Sequence, residues 1–100
     1  MTRAESTYLM TAKARAHYAA ELFSIATVAA VIDELASQGH RQYRIVQELP
    51  FDLSETVPAH KLETWLEREE FRYVWRPTVE PGDPQRPNRS NEYPELEIQW

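Results

Sequence analysis

Residues 5–38, ESTYLMTAKARAHYAAELFSIATVAAVIDELASQ, decide the fold, because this stretch contains neither glycine nor proline. Alanine is the strongest helix former, and ten alanines occur between residues 4 and 38. Uncharged residues recur every three or four positions: Thr7, Thr11, Ala14, Tyr18, Leu22, Ile25, Ala29, Ile32 and Ala36. This spacing places them on one helix face, and Gly39 follows at the position that ends many helices. The pattern predicts one long amphipathic helix.

A second interpretation of this stretch stays open. In it, residues 7–13 and 17–23 are two strands, and only 24–38 is helical, with Ser24 as its N-cap. A helix of 34 residues exceeds the usual length in a globular domain. Against the strands, no Gly, Asn, Asp or Pro lies between them to form a turn. The sequence therefore favours the helix.

After Gly39 the pattern changes to alternation, which is typical of strands. Strands are predicted over 43–49, 71–76 and 95–100, and a short helix over 58–70. In the second strand the aromatic residues Phe71, Tyr73 and Trp75 alternate with Arg72, Val74 and Arg76. The aromatic residues are therefore expected to face the core, and the arginines to face outward.

This order of elements, α-β-α-β-β, predicts an α+β fold. A long N-terminal helix and a short acidic helix would pack on a three-stranded, mostly antiparallel sheet. One hundred residues are enough for a single core, so residues 1–100 are expected to form one domain. A proline-rich loop over 80–94 would join the last two strands.

Composition excludes several classes of protein. The chain has no cysteine, so thiolate metal sites and thiol nucleophiles are excluded. Its net charge of −5 disfavours general attraction to nucleic acid or to anionic membranes. Neither a membrane-spanning stretch nor a signal peptide is recognisable. We therefore expect a soluble, intracellular protein that does not bind membranes.

Catalytic and metal-binding patterns are not recognisable either. His17 with Glu21 and His60 with Glu63 each place two ligands on one helix face, but a metal site needs three or four. The chain has two glycines, too few for a phosphate-binding loop, and no serine stands in a nucleophile elbow. We expect no enzyme activity, cofactor or metal.

Charge distribution is the most informative feature for function. Residues 48–100 contain twelve Asp and Glu against six Lys and Arg, whereas residues 1–47 contain four against five. In the short helix, Glu67, Glu69 and Glu70 lie in the last turn, and His60 and Lys61 lie in the first. The helix dipole favours the reverse arrangement. The candidate partner-binding residues are Asp52, Glu55, Glu63, Glu67, Glu69, Glu70, Glu95 and Glu97. They would either form a docking surface for a basic partner or be an ordinary solvated helix surface.

Two other functions stay open. Aromatic and arginine residues on one strand can bind single-stranded nucleic acid, and residues 71–76 contain both kinds. That function would require both kinds on one open face. The third possibility is an enzyme with an unrecognised site.

A small, acidic, cysteine-free α+β domain with a run of carboxylates and a few aromatic residues resembles the small inhibitor proteins of phages and mobile elements, including anti-CRISPR proteins. The resemblance is carried by size, charge and architecture. It implies a non-enzymatic inhibitor in the cytoplasm of a bacterial host cell. Such an inhibitor would occupy a basic, nucleic-acid-binding surface of a bacterial defence complex and would not contact nucleic acid itself. The oligomeric state is left open.

Overall fold

The computed structural model describes residues 1–79 and 92–100, and this part of the chain has an α+β fold. The elements are α1 (Arg3–Leu22), α2 (Ile25–Ser37), β1 (Gln42–Arg44), α3 (Val57–Arg68), β2 (Arg72–Val79) and β3 (Glu92–Gln99). The predicted fold class and the order of helical and strand segments are confirmed. Residues 7–22 are helical, so the interpretation of 7–23 as two strands is wrong.

The long N-terminal helical segment bends at Phe23 and Ser24, where the prediction had an uninterrupted helix. Ser24 is the N-cap of α2, because its Oγ accepts a hydrogen bond from the Thr27 N–H at 3.5 Å. Phe23 is buried, and its ring meets the Trp75 ring edge to face with 5.7 Å between centroids. The bend therefore buries Phe23 against the sheet, and it allows α1 to pack on α3 while α2 packs on β1.

The sheet is antiparallel, with strand order β1-β3-β2. Tyr43, Ile98 and Tyr73 lie side by side across the three strands and pack toward the core. Arg72 and Arg76 of β2 are exposed, as alternation requires. The predicted orientation of residues 71–76, with aromatic residues inward and arginines outward, is confirmed.

β1 is shorter than the predicted strand over 43–49. The Ile45 N–H still donates to the Leu96 carbonyl at 2.8 Å. Two residues later, the Gln47 N–H donates to the Glu95 side chain at 2.7 Å. A side-chain carboxylate therefore takes the hydrogen bond that a neighbouring strand would otherwise accept, and regular pairing stops.

β3 begins earlier than predicted, at Glu92, so residues 92–94 of the predicted proline-rich loop belong to a strand. Residues 80–91 of that loop lie outside the described residues. Pro94 stands opposite Pro77 in the register. Both prolines lack an N–H, and β2 is an edge strand, where a proline is tolerated.

The buried side chains form one cluster between the helices and one face of the sheet. Its members are Ala19, Phe23, Val28, Ile32, Ile45, Leu53, Ala59, Leu62, Leu66, Leu96 and Ile98. The N-terminal part of α1 lies outside it, because residues 1–17 are all exposed. The predicted uncharged face of the long helix is therefore correct only in part. Ile32 is buried, and the buried Ala19, Phe23 and Val28 lie beside the predicted face. Its other members are half-buried (Tyr18, Leu22, Ile25 and Ala29) or exposed (Thr7, Thr11, Ala14 and Ala36).

Candidate functional site

The eight candidate acids separate into two groups. Glu95 and Glu97 of β3 are buried, with 3% and 8% of their surface exposed. Glu95 pairs with Arg44 at 2.9 Å, and Glu97 pairs with Arg76. Their inclusion in a partner-binding surface is wrong, because arginines of the two neighbouring strands neutralise and cover them.

Glu95 has the most complete set of partners. Besides Arg44, its carboxylate accepts hydrogen bonds from the Thr78 hydroxyl at 3.1 Å and from the Gln47 N–H at 2.7 Å. Burial by itself would raise the pKa of Glu95, but these hydrogen bonds and the nearby positive charge outweigh it and lower the pKa below its ordinary value. Glu95 is therefore a charged structural residue that joins β3 to both neighbouring strands.

The other six candidate acids lie on or beside α3. We call them the acidic α3 surface: Asp52, Glu55, Glu63, Glu67, Glu69 and Glu70. Five of them are exposed, and Glu63 is half-buried. Residues 52–70 hold these six carboxylates against Lys61 and Arg68. The surface is therefore strongly negative in its own sequence segment.

Although Arg41 and Arg72 line the same shallow hollow as Glu70, no arginine or lysine forms an ion pair with this surface in the described residues. There, the ion pairs between Lys or Arg and a carboxylate join Arg44 to Glu95 and Arg76 to Glu97. The partners of the acidic α3 surface are weaker. His60 lies 3.7 Å from Glu55 and 3.5 Å from Glu63, and Asp52 accepts hydrogen bonds from Ser54. The negative charge is left facing solvent.

Tyr73 was not expected near this surface, because alternation places it in the core. Its ring packs inward, but its hydroxyl reaches the helix and donates to Glu67 Oε1 at 2.6 Å. The hydrogen bond to Glu67, together with burial and the negative charge of Glu63, raises the pKa of Tyr73 far above its ordinary value. This contact fixes Glu67 without neutralising it, since the phenol stays uncharged.

Glu70 has an unusual backbone conformation. Its φ is 63°, and no other non-glycine residue in the described part of the chain has a positive φ. The Glu70 N–H donates to the Glu67 carbonyl, and the Phe71 N–H donates to the Leu66 carbonyl. This is the Schellman arrangement that ends many helices, and glycine is the usual residue at the left-handed position.

The end of α2 makes the same turn with the usual residue. Gly39 has a φ of 93°, its N–H donates to the Ala36 carbonyl, and the His40 N–H donates to the Leu35 carbonyl. A side chain in the left-handed region costs roughly 1–2 kcal/mol. The chain therefore carries a glutamate where the same turn elsewhere uses glycine, and local stability does not explain that choice.

The remaining candidate chemistry gives no second site. His17 and Glu21 lie 3.2 Å apart on an exposed face of α1. Across residues 1–79 and 92–100, no group of three or more His, Cys, Asp or Glu is placed to hold a metal ion. Among the helices in these same ranges, none has both the length and the apolar character needed to cross a membrane.

Comparison with known proteins identified no relative of the chain. No protein family, no characterised protein and no solved structure matches the chain.

Proposed function

We propose that the chain is a non-enzymatic binding protein whose acidic α3 surface docks on a basic surface of a partner protein. The observation that carries this proposal is Glu70. It holds a negative charge in a left-handed conformation at a helix C-terminus, next to Glu69. Both the backbone and the helix dipole disfavour this placement. Strained residues of this kind cluster at functional sites, so a role in binding accounts for the choice.

The lack of Lys or Arg ion pairs on this surface in the described residues supports the same proposal. Arg44 and Arg76 are used to pair the buried acids of β3. Arg68 and Arg72 lie next to the acidic α3 surface in sequence, but neither forms an ion pair with it in the described residues. Charges that face solvent in this way increase the rate of association with a basic partner and select against acidic ones.

The partner is a protein with a basic, nucleic-acid-binding surface. Carboxylates one helical turn apart are spaced by about 5–6 Å, which is wider than the charge spacing of duplex DNA. They would therefore match clustered Lys and Arg side chains without reproducing the nucleic-acid backbone. In keeping with the resemblance to small phage and mobile-element inhibitors, we propose that this surface belongs to a bacterial defence complex, where docking would block access of nucleic acid.

Affinity would come from contacts beside the charges. Trp65 stacks on Phe71 with 5.7 Å between ring centroids, and Phe71 meets Trp100 edge to face at 6.3 Å. All three rings are half-buried, so part of each stays accessible, and Trp100 lines a shallow hollow together with Glu70. Aromatic residues of this kind supply most of the energy at protein interfaces.

The geometry does not support the single-stranded nucleic-acid alternative. Tyr73 and Trp75 are half-buried and pack toward the helices, while Arg72 and Arg76 lie on the opposite face of β2. Stacking of bases would require aromatic and arginine residues on one open face.

Affinity capture from a bacterial lysate, followed by mass spectrometry, tests the proposed docking. The variant Glu63→Lys/Glu67→Lys/Glu70→Lys is expected to capture its main partner at least about tenfold less than the wild type. The control Glu21→Lys/Asp33→Lys/Glu48→Lys changes the net charge equally at exposed positions outside α3. Equal capture by all three proteins would contradict the proposal, as would equal loss in both variants.

A further inference from the structure

One end of the sheet, next to the acidic α3 surface, carries a shallow polar hollow of about 480 Å³. Three segments of the chain meet there: the start of β1, the start of β2 and the end of β3. We call it the sheet-end hollow, and it is lined by Arg41, Gln42, Glu70, Arg72, Gln99 and Trp100. Glu70 belongs both to this hollow and to the acidic α3 surface, so the two are continuous.

The outer face of the sheet pairs two of its arginines with acids and, in the described residues, leaves a third without one. Along β3 this face carries Glu95, Glu97 and Gln99 in turn, because successive side chains of a strand point to opposite faces. Glu95 and Glu97 each pair with an arginine of a neighbouring strand. Gln99 stands opposite Arg72 in the register. Arg72 therefore meets a neutral amide where the sheet supplies its other arginines with an acid.

Arg41 also has no carboxylate partner in the described part of the chain. Its Nε donates to the main-chain oxygen of Trp100 at 3.2 Å, and the Trp100 N–H donates to the Arg41 carbonyl at 3.1 Å. These bonds hold Arg41 beside Trp100 and leave the other guanidinium nitrogens available. The hollow therefore has two guanidinium groups against the single carboxylate of Glu70, so it is positive although the adjoining surface is negative.

Docking on the acidic α3 surface would bring the sheet-end hollow against the same partner, because Glu70 is common to both. A partner surface that is positive throughout would place Lys or Arg side chains against Arg41 and Arg72, and like charges repel. Guanidinium groups that are covered without an acceptor also lose their hydration without compensation. The partner must therefore supply a negative group at this point.

A carboxylate is the negative group that fits the hollow best. Arginine binds planar carboxylates through its fork of N–H donors, and the same sheet holds Glu95 and Glu97 with arginine. A phosphorylated side chain would bring about 1.5–2 negative charges at pH 7, and Glu70 would oppose them. A carboxylate brings one charge, and the amides of Gln42 and Gln99 offer neutral donors beside it.

We propose that the sheet-end hollow binds an Asp or Glu side chain of the partner protein, next to the Lys or Arg side chains that meet the acidic α3 surface. This inference rests on the proposed function and adds a charge pattern to it: the partner surface is basic and has an acid at its edge. Glu70 would pair with a cation of the partner, while Arg41 and Arg72 bind the acid. Neighbouring groups of opposite charge fix the orientation of docking, because a rotated partner would bring like charges together.

Charge reversal in the hollow tests the proposal through the sign of its effect. Capture of the main partner from a bacterial lysate, quantified by mass spectrometry, should be at least about tenfold lower for Arg41→Glu/Arg72→Glu than for the wild type. A partner that is basic throughout would be captured equally well or better, and this result would overturn the proposal. The control Arg3→Glu/Lys13→Glu makes the same change of net charge at exposed positions of α1 and should stay within about twofold of the wild type. An equal loss in the control would also contradict the proposal.

The triple α3 variant separates the acid-binding hollow from the proposed function. Loss of capture in that variant, together with undiminished capture by Arg41→Glu/Arg72→Glu, would keep the docking surface and reject only the acid of the partner. Full capture by the triple variant would reject both.

Zero-length cross-linking identifies the partner group directly. A carbodiimide couples a lysine amine to a carboxylate in contact with it. Arg72→Lys keeps the positive charge, so this variant should retain most of the capture, and treatment of the captured complex should link the substituted residue to an Asp or Glu of the partner. Lys13, on an exposed part of α1, is the internal control and should not be linked to the partner. A captured complex without a link from the substituted residue to a partner carboxylate would refute the proposal.

Discussion

The carboxylates of β3 and those of the acidic α3 surface come from one acidic half of the chain, but they differ in burial and in pairing with arginine. Glu95 and Glu97 are buried and paired with Arg44 and Arg76. Five of the six acids of the acidic α3 surface are exposed, and none of the six forms an ion pair with Lys or Arg in residues 1–79 and 92–100. Net charge alone therefore says little about function, because the position of the arginines decides which acids are available to a partner.

Removal of a buried acid should have the largest effect. Glu95→Ala leaves Arg44 Nε and the Gln47 N–H without their acceptor. Because Arg44 is partly exposed, we expect the free energy of unfolding to fall by about 2–3 kcal/mol. Urea unfolding followed by tryptophan fluorescence measures this. Glu69→Ala, on the exposed surface, is the control and should stay within about 0.5 kcal/mol of the wild type. Equal effects would remove the difference between the two groups of acids.

Lowering the pH should reduce the free energy of unfolding by a smaller amount, through protonation of Glu95. The pKa of Glu95 is lower in the folded state than its ordinary value of about 4.3. Its charge therefore stabilises the fold above that value, and the contribution is lost as pH falls through the folded-state pKa. Between about pH 5 and 3, the wild type should lose more stability than Glu95→Gln. If the free energy of unfolding fell equally with pH in the two proteins, Glu95 would make no such contribution.

The left-handed residues at the ends of α3 and α2, Glu70 and Gly39, can be tested by exchanging their residue types. Glu70→Gly should raise the free energy of unfolding by about 1 kcal/mol, because glycine adopts a positive φ without strain. Gly39→Glu should lower it by about the same amount. A Cβ atom at Gly39 would meet nothing within 4 Å, so the cost comes from the backbone alone. Loss of stability in Glu70→Gly would mean that the Glu70 side chain stabilises the fold, which would weaken the argument for a role in binding.

A charge change at the C-terminal end of α3, which acts through the helix dipole, should have the smallest effect on the free energy of unfolding. Glu69→Lys replaces an anion by a cation at the C-terminal end of α3, where cations are favoured, and should stabilise the fold by about 0.5 kcal/mol. The gain should shrink in 1 M salt, which screens surface charges. Thermal unfolding at low and high salt measures it. A loss of stability on this substitution would imply that Glu69 has an internal partner.

Much of the fold could be predicted from local patterns. The helical character of residues 7–22, the orientation of Tyr73 and Trp75, and the end of α2 at Gly39 follow from spacing and from glycine chemistry. The bend at Ser24 was visible as a possible N-cap, but a serine can also lie inside a continuous helix, so the residue type alone did not decide between them. The burial of Phe23 against Trp75, which accompanies the bend, depends on a contact 52 residues away in sequence.

The candidate site was predicted only in part. Glu95 and Glu97 look like exposed strand residues, because they alternate with Leu96 and Ile98. Arg44 and Arg76, in the other two predicted strands, were a signal that cross-strand pairs could form. To decide which acid each arginine pairs with, the order of the strands in the sheet must be known. Local sequence patterns do not contain that order.

The sequence by itself determined the α+β class, the acidic balance of residues 48–100 and the placement of negative charge at the end of α3, because these depend on composition and short-range spacing. Only the tertiary structure decided which acids stay free. It placed β3 between β1 and β2, within reach of two arginines, and it placed Glu70 in a left-handed turn where no ion pair holds it in the described residues. Pairing of charges over long sequence distances depends on strand order and register, and these are set by packing of the whole chain.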